Sequence, residues 1–171
     1  IEEATFSATS LKRHTETDVT LFCDKEDVQE PCFDDVVTID PGQYPFFDRI
    51  NYFKQTPYDK TVYMDTDTYV AGDISSIFDL LDRFDVTAAF NESRNTAASH
   101  TNFETVELDV PDAFPEYQCG VIGYRNNQEV QNLFDDWQDR YRPYRDRNLV
   151  DQPHFREAIY QNPVSIGTLP T

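Results

Sequence analysis

The chain has 171 residues, with 32 Asp plus Glu against 14 Lys plus Arg and a formal net charge of −18. Such an acidic chain lacks the basic footprint that a nucleic-acid partner requires, and an anionic membrane surface repels it. Hydrophobic residues at 39% and aromatics at 14% are too many for a disordered acidic tail, so the acid sits on a folded body of single-domain size.

Only Lys12, Lys25, Lys54 and Lys60 carry an ammonium, and acids fall on almost every segment. A uniformly acidic, Lys-poor surface resembles that of halophile proteins, and the expected setting is the cytoplasm of such an organism. No apolar run approaches the ~18 residues of a membrane span, and no basic stretch followed by an apolar one opens the chain. Cys23, Cys32 and Cys119 show neither CxxC nor Cys/His ligand spacing and read as small core hydrophobes of a reducing compartment. The chain opens on Ile1 with a helical pattern at once, as an excerpt of a longer product would.

In chain order, Ile1, Ala4, Phe6, Ala8 and Leu11 have roughly helical spacing, and residues 19–23 form a short β-rich run. Residues 36–39 predict a second strand. Pro45 opens a helix running to about Gln55, where Thr56-Pro57 ends it. Residues 61–64 predict a third strand, too apolar for an edge, which runs straight into Asp65-Thr66-Asp67. Ser75 or Ser76 could cap a short helix through Leu81, and residues 86–90 predict another strand. Residues 91–118 have no sustained period and form a long polar connection of the kind that carries function.

Residues 119–124 predict the next strand. Asn127 caps a helix with Val130, Leu133, Phe134 and Trp137 on one face, read as core. The Arg-rich stretch 140–147 follows and reads first as neutralising the acidic surface. Asp151 caps a last helix with Pro153 in its first turn, and residues 164–169 close as a strand. Strands alternating with helices imply an α/β fold with a mostly parallel, mixed sheet covered on both faces, whose ligand site lies beyond the carboxyl ends of the strands. Asp65 and Asp67 stand at such an end. Two carboxylates at a strand-to-loop transition can turn onto one ion, and hard oxygen ligands suit Mg²⁺ or Mn²⁺ with positions left open for phosphate.

The stretch from Pro57 to Val70 resembles the "D-K-x-x-Y-L-D-x-D" segment of GT-A glycosyltransferases, notably the retaining family 8 of glycogenin and bacterial galactosyltransferases. Three further segments agree in order. Arg49 matches the family's donor-contacting Arg, Gln118-Cys119-Gly120-Val121 resembles its "N-x-G-V", and Asp151-Gln152 resembles its "D-Q" at a helix start. The resemblance implies a Rossmann-like nucleotide-diphosphosugar transferase formed by residues 1–171 as one catalytic domain. The donor is a nucleotide sugar, UDP-linked by preference, and the acceptor hydroxyl belongs to a glycan, lipid or protein.

On that resemblance Asp65 and Asp67 hold the divalent ion on the donor diphosphate, while Arg49, Gln118 and Gly120 bind the donor. Asp151 and Gln152 contact the transferred sugar. A neutral Gln is a poor nucleophile, so the expected route is front-face transfer with the departing phosphate taking the acceptor's proton. Read without the family, Arg49 makes a surface ion pair and Asp151 is an N-cap.

The chain departs from the family pattern in places. Gln118 stands where the family has Asn. The family's opening strand and a later His ligand have no counterpart, since His14, His100 and His154 do not match that position, so the chain is expected to be incomplete at both ends. Two rivals remain: a non-catalytic, degenerate GT-A-like binding module, and a haloacid-dehalogenase-type phosphatase, whose pattern wants Thr or Val where Tyr69 stands.

Overall fold

The computed structural model describes residues 1–91, 107–147 and 150–170. Its elements are α1 (Glu2–Lys12), β1 (Thr20–Cys23), β2 (Asp35–Thr38), α2 (Pro45–Phe53), β3 (Lys60–Met64), α3 (Ser75–Leu80), β4 (Val86–Phe90), β5 (Tyr117–Arg125), α4 (Gln128–Tyr141), α5 (Gln152–Gln161) and β6 (Ile166–Leu169), with a 3₁₀ turn at Arg142–Tyr144. They fall into two compact units. One comprises Ile1–Gln43 with Met64–Ser76, the other Tyr44–Tyr63 with Ile77–Thr171.

In the first unit, α1 begins with Glu2 and Glu3 and ends with Lys12, charges that complement the helix dipole. Its buried face is made of small residues, Ala4, Ser7, Ala8 and Ser10, with Leu11. The Ser10 hydroxyl donates to the Ser7 carbonyl at 2.7 Å and accepts the Val70 N–H at 2.8 Å, so α1 fixes the chain leaving Asp65-Thr66-Asp67. β1 and β2 run parallel, with Thr20 opposite Asp35 and Cys23 opposite Thr38. Asp34 closes their start, accepting from the Val19 N–H at 2.7 Å and pairing with Lys12 at 2.5 Å.

The second unit holds a four-stranded sheet in the order β3-β5-β4-β6, with β4 parallel to β6 and antiparallel to β5. The sheet is therefore mixed, and β5 returns beside β4 instead of crossing over. An interior position for β3 is not what the described residues show: it ends the order, and all five of its residues are only half-buried. At its start the Lys60 ammonium reaches Asp82 at 2.6 Å and the Phe78 carbonyl at 3.1 Å, a charged group compatible with the end of a sheet order. β5 begins at Tyr117, two residues earlier than its sequence pattern suggests, and α2 ends at Phe53. Asn127 caps α4 by accepting the Val130 N–H at 2.9 Å. For α3 the group that accepts is Asp73, which takes the Ser75 N–H at 2.8 Å. All three cysteines are free and buried.

Aromatic rings dominate the core of this unit. Phe53 meets Tyr63 edge-on at 4.5 Å between centroids and touches Tyr124, Phe134 and Trp137, while Trp137 lies 4.5 Å from Phe155. The Tyr124 hydroxyl donates to the Phe53 carbonyl at 2.9 Å and ties the end of α2 to β5. β4 and β5 approach closely where Gly123 faces Thr87: a Cβ on Gly123 would lie 2.3 Å from Thr87 Oγ1 and 3.1 Å from Ile77 Cγ2. Gly123→Ala is expected to destabilise the fold by roughly 1–3 kcal/mol through overpacking, read as a lower midpoint in urea with an unchanged slope.

Candidate functional site

α2 and the start of α5 meet through an ion pair. Arg49 lies one turn before Phe53, so the packing of that ring sets the face on which the guanidinium emerges. Nε of Arg49 donates to Asp151 Oδ2 at 3.0 Å, and Nη2 donates to Oδ1 at 2.7 Å and Oδ2 at 2.8 Å, a fork on one carboxylate. The Phe46 and Tyr63 rings flank the guanidinium at 5.5 and 5.8 Å. Burial, the largest single influence, works against the Arg49 charge, but Asp151 leads the opposing effects and the net direction is upward. The side chains of Arg49 and Asp151 are 14% and 1% exposed, so this is no surface pair. Nor does the Asp151 side chain cap α5; it stands at the N-cap position with no capping hydrogen bond. Its carbonyl accepts from the Trp137 indole at 3.0 Å and from the His154 and Phe155 amides, each at 3.1 Å.

The next residue opens a second cluster. Gln152 Nε2 donates to Glu116 Oε1 at 2.6 Å, and Asn91 Nδ2 donates to the same oxygen at 2.7 Å. The Asn91 amide also donates to the Glu116 carbonyl at 2.9 Å, which joins the end of β4 to the start of β5. An irregular register creates this junction. Pairing moves from Ala88 opposite Ile122 to Phe90 opposite Tyr117, two steps along β4 against five along β5. The bulged stretch contains Gln118, Cys119, Gly120 and Val121, with Gln118 exposed and Gly120 half-buried. Glu116, 1% exposed, was not singled out from the sequence, and only Gly120 inside a strand pattern hinted at the bulge beside it.

Asp65 and Asp67 belong to the first unit. Directly after β3, the Thr68 N–H donates to the Asp65 carbonyl at 3.0 Å and closes a turn in which Asp65 is half-buried and Asp67 exposed. Among the described residues, no group of three or more His, Cys, Asp or Glu is gathered to hold a metal ion. The donor set fits a hard divalent cation all the same, because Mg²⁺-like ions take one or two carboxylates and fill their remaining positions with phosphate and water.

His154 lies in the first turn of α5, stacked on Tyr144 at 4.7 Å and near Tyr141 at 5.7 Å. Its Nδ1 is buried without a hydrogen-bond partner among the described residues. Burial, and then the charge of Arg140, push its pKa from 6.5 down to about 4. Glu157 Oε2 lies 3.9 Å from Nδ1, but Arg140 pairs with Glu157 Oε1 at 2.9 Å and offsets that carboxylate. His100 lies outside the described residues, as do residues 92–106 of the long polar connection.

The fold is of the mixed α/β, Rossmann-like GT-A type. It is similar to the crystal structure of the galactosyltransferase LgtC in complex with donor and acceptor sugar analogs, with a TM-score of 0.64 and 12% sequence identity. The likeness covers 97% of this chain and 68% of that one. No family description matches the chain, and no curated protein sequence does.

Replacing Arg49 by Met leaves the Asp151 carboxylate buried without its cation, at an expected cost of roughly 3–5 kcal/mol in chemical unfolding. The double replacement Arg49→Met with Asp151→Leu recovers most of that loss, and simple additivity of the two single changes would show that the pair does not couple. The depressed His154 contributes stability that is complete above pH 6.5 and is lost progressively as the pH falls toward 4, because there the unfolded chain binds a proton that the folded one excludes. The expected loss is about 2–3 kcal/mol. Unfolding of the parent and of His154→Phe between pH 7 and 4.5 checks this, since the variant's profile should be flatter.

Proposed function

We propose that this chain is a glycosyltransferase that moves a sugar from a nucleotide-diphosphate donor, a UDP-sugar by preference, to an acceptor hydroxyl with retention of configuration. The observation that carries the reading is Asp65-Thr66-Asp67 in a hydrogen-bonded turn directly after β3, on a fold of the GT-A type. Residues 1–171 act as one catalytic domain on this reading, and the acceptor is a glycan, lipid or protein hydroxyl.

Asp65 and Asp67 would hold a Mn²⁺ or Mg²⁺ ion, which when bound supplies Lewis-acid stabilisation of the charge that grows on the departing diphosphate. Arg49 brings a permanent positive charge to the donor, oriented by its fork with Asp151. Gln118 and Gly120 contact the donor from the bulged stretch of β5, where the local irregularity re-aims side chain and backbone. Asp151 and Gln152 face the transferred sugar. A primary amide such as Gln152 cannot serve as an efficient covalent nucleophile, so the acceptor attacks from the side the diphosphate leaves and gives its proton to the leaving phosphate oxygen.

One observation favours a second reading, a sugar- or nucleotide-binding module without transfer: Nε and Nη2 of Arg49 are already committed to Asp151. Calorimetric titration of UDP in high salt separates the possibilities, with and without Mn²⁺, on the parent and on a folded Asp65→Ala/Asp67→Ala variant. The expected result is Mn²⁺-dependent binding that weakens at least about tenfold in the variant. Failure of UDP and of other nucleoside diphosphates to bind would remove the donor site and leave the binding module.

A further inference from the structure

The polar cluster at the start of β5 contains an acid that the roles above do not use. Glu116 is 1% exposed, and the two amides that reach it share one oxygen, Oε1, with Gln152 at 2.6 Å and Asn91 at 2.7 Å. Oε2 is buried and has no hydrogen-bond partner among the described residues.

A carboxylate only accepts hydrogen bonds, so it decides how each neighbouring amide is turned: the NH₂ toward Glu116, the carbonyl oxygen away from it. Gln152 is thereby held with its Oε1 pointing out of the cluster. If Glu116 were only a structural tie between β4, β5 and α5, one amide oxygen would accept the same two bonds. A carboxylate brings a second oxygen and a charge, and a buried oxygen without a donor costs stability unless something fills it. An acceptor of this kind, beside an amide carbonyl, suits a hydroxyl donor.

We propose that Glu116 determines sugar specificity: Oε2 accepts one hydroxyl of the transferred sugar while Oε1 fixes the Gln152 amide with its carbonyl toward that sugar. This rests on the sugar-transfer reading and deepens it. Asn91 completes the arrangement by holding Oε1 from β4. The sugar so recognised is an uncharged pyranose, because a uronic acid would add an anion to a site that already holds the Glu116 carboxylate, in a chain whose net charge is −18.

Calorimetry with Mn²⁺ on the parent and on Glu116→Gln tests this, using UDP, UDP-glucose, UDP-galactose, UDP-N-acetylglucosamine and UDP-glucuronate. For the parent, one uncharged UDP-sugar is expected to bind about tenfold tighter than UDP, and UDP-glucuronate no tighter than UDP. Glu116→Gln should bind UDP as the parent does and lose most of that tenfold gain. With the preferred sugar carrying fluorine in place of each hydroxyl in turn, one position should weaken binding to the parent and have little effect in the variant, a coupling that a structural tie would not produce.

Without ligand, Glu116→Gln should melt at or above the parent. A variant that keeps the full sugar gain, or that melts well below the parent, overturns the proposal. UDP binding with no gain from any sugar overturns it while leaving the donor site standing; no binding of UDP at all removes both.

Discussion

The second unit is organised around one buried carboxylate. Asp151 lies 102 residues from Arg49 in the chain, and its side chain is almost fully withdrawn from water. A carboxylate in that position requires a cation with matching geometry, and the guanidinium fork supplies one. The demand propagates backwards through α2. Arg49 reaches Asp151 only while Phe53, one turn later, sits among Tyr63, Tyr124, Phe134 and Trp137. Trp137 then closes the arrangement, since its indole N–H ends on the Asp151 carbonyl at 3.0 Å. Side chain and backbone of one residue thus tie together α2, α4 and α5, and Gln152 inherits its position from them.

The junction of β4 and β5 places polar groups by a different means. A regular antiparallel ladder would carry Asn91 past the strand opposite it at fixed spacing. The bulge takes up the extra residues of β5 and lets Asn91 meet Glu116 through both backbone and side chain. Arg156 adds a tether, donating to the carbonyls of Phe114 at 3.0 Å and Pro111 at 2.8 Å, so the approach to Glu116 is anchored on α5. Asn91 and Glu116, each one residue beyond a strand end, are therefore held by the ends of β4 and β5 and by α5.

What could be read from the sequence follows from how local each signal is. The β3 pattern and the Asp65-Thr66-Asp67 that follows it lie within one short stretch, and Asn127 three residues before Val130 is a complete cap signal by itself. The partnership of Arg49 with Asp151 has no local signature, and an Asp before a Gln-Pro helix start resembles an ordinary cap, which its side chain is not. Glu116 was hidden for a statistical reason: among 32 acids, nothing in composition or period marks Glu116 as one of those that are buried. Among the described residues β3 ends its sheet order although its apolar run argues for an interior strand, and the ties of Lys60 to Asp82 and the Phe78 carbonyl have no signal in that run.

Scarce cations impose a division of labour across the chain. Lys12 with Asp34, Lys54 with Asp135, and Lys60 with Asp82 join separate elements through exposed or half-exposed pairs. Such pairs gain little in water and are screened further by salt. Arg142 and Arg145 lie over the Phe47 ring at 5.3 and 5.4 Å, and Arg145 also lies over Tyr44 at 5.0 Å. Contacts to a ring face persist where a carboxylate partner would be exchanged for dissolved ions. The buried Arg49–Asp151 fork is the least accessible of these ion pairs, so high ionic strength weakens the surface network well before it reaches the residues that orient Gln152.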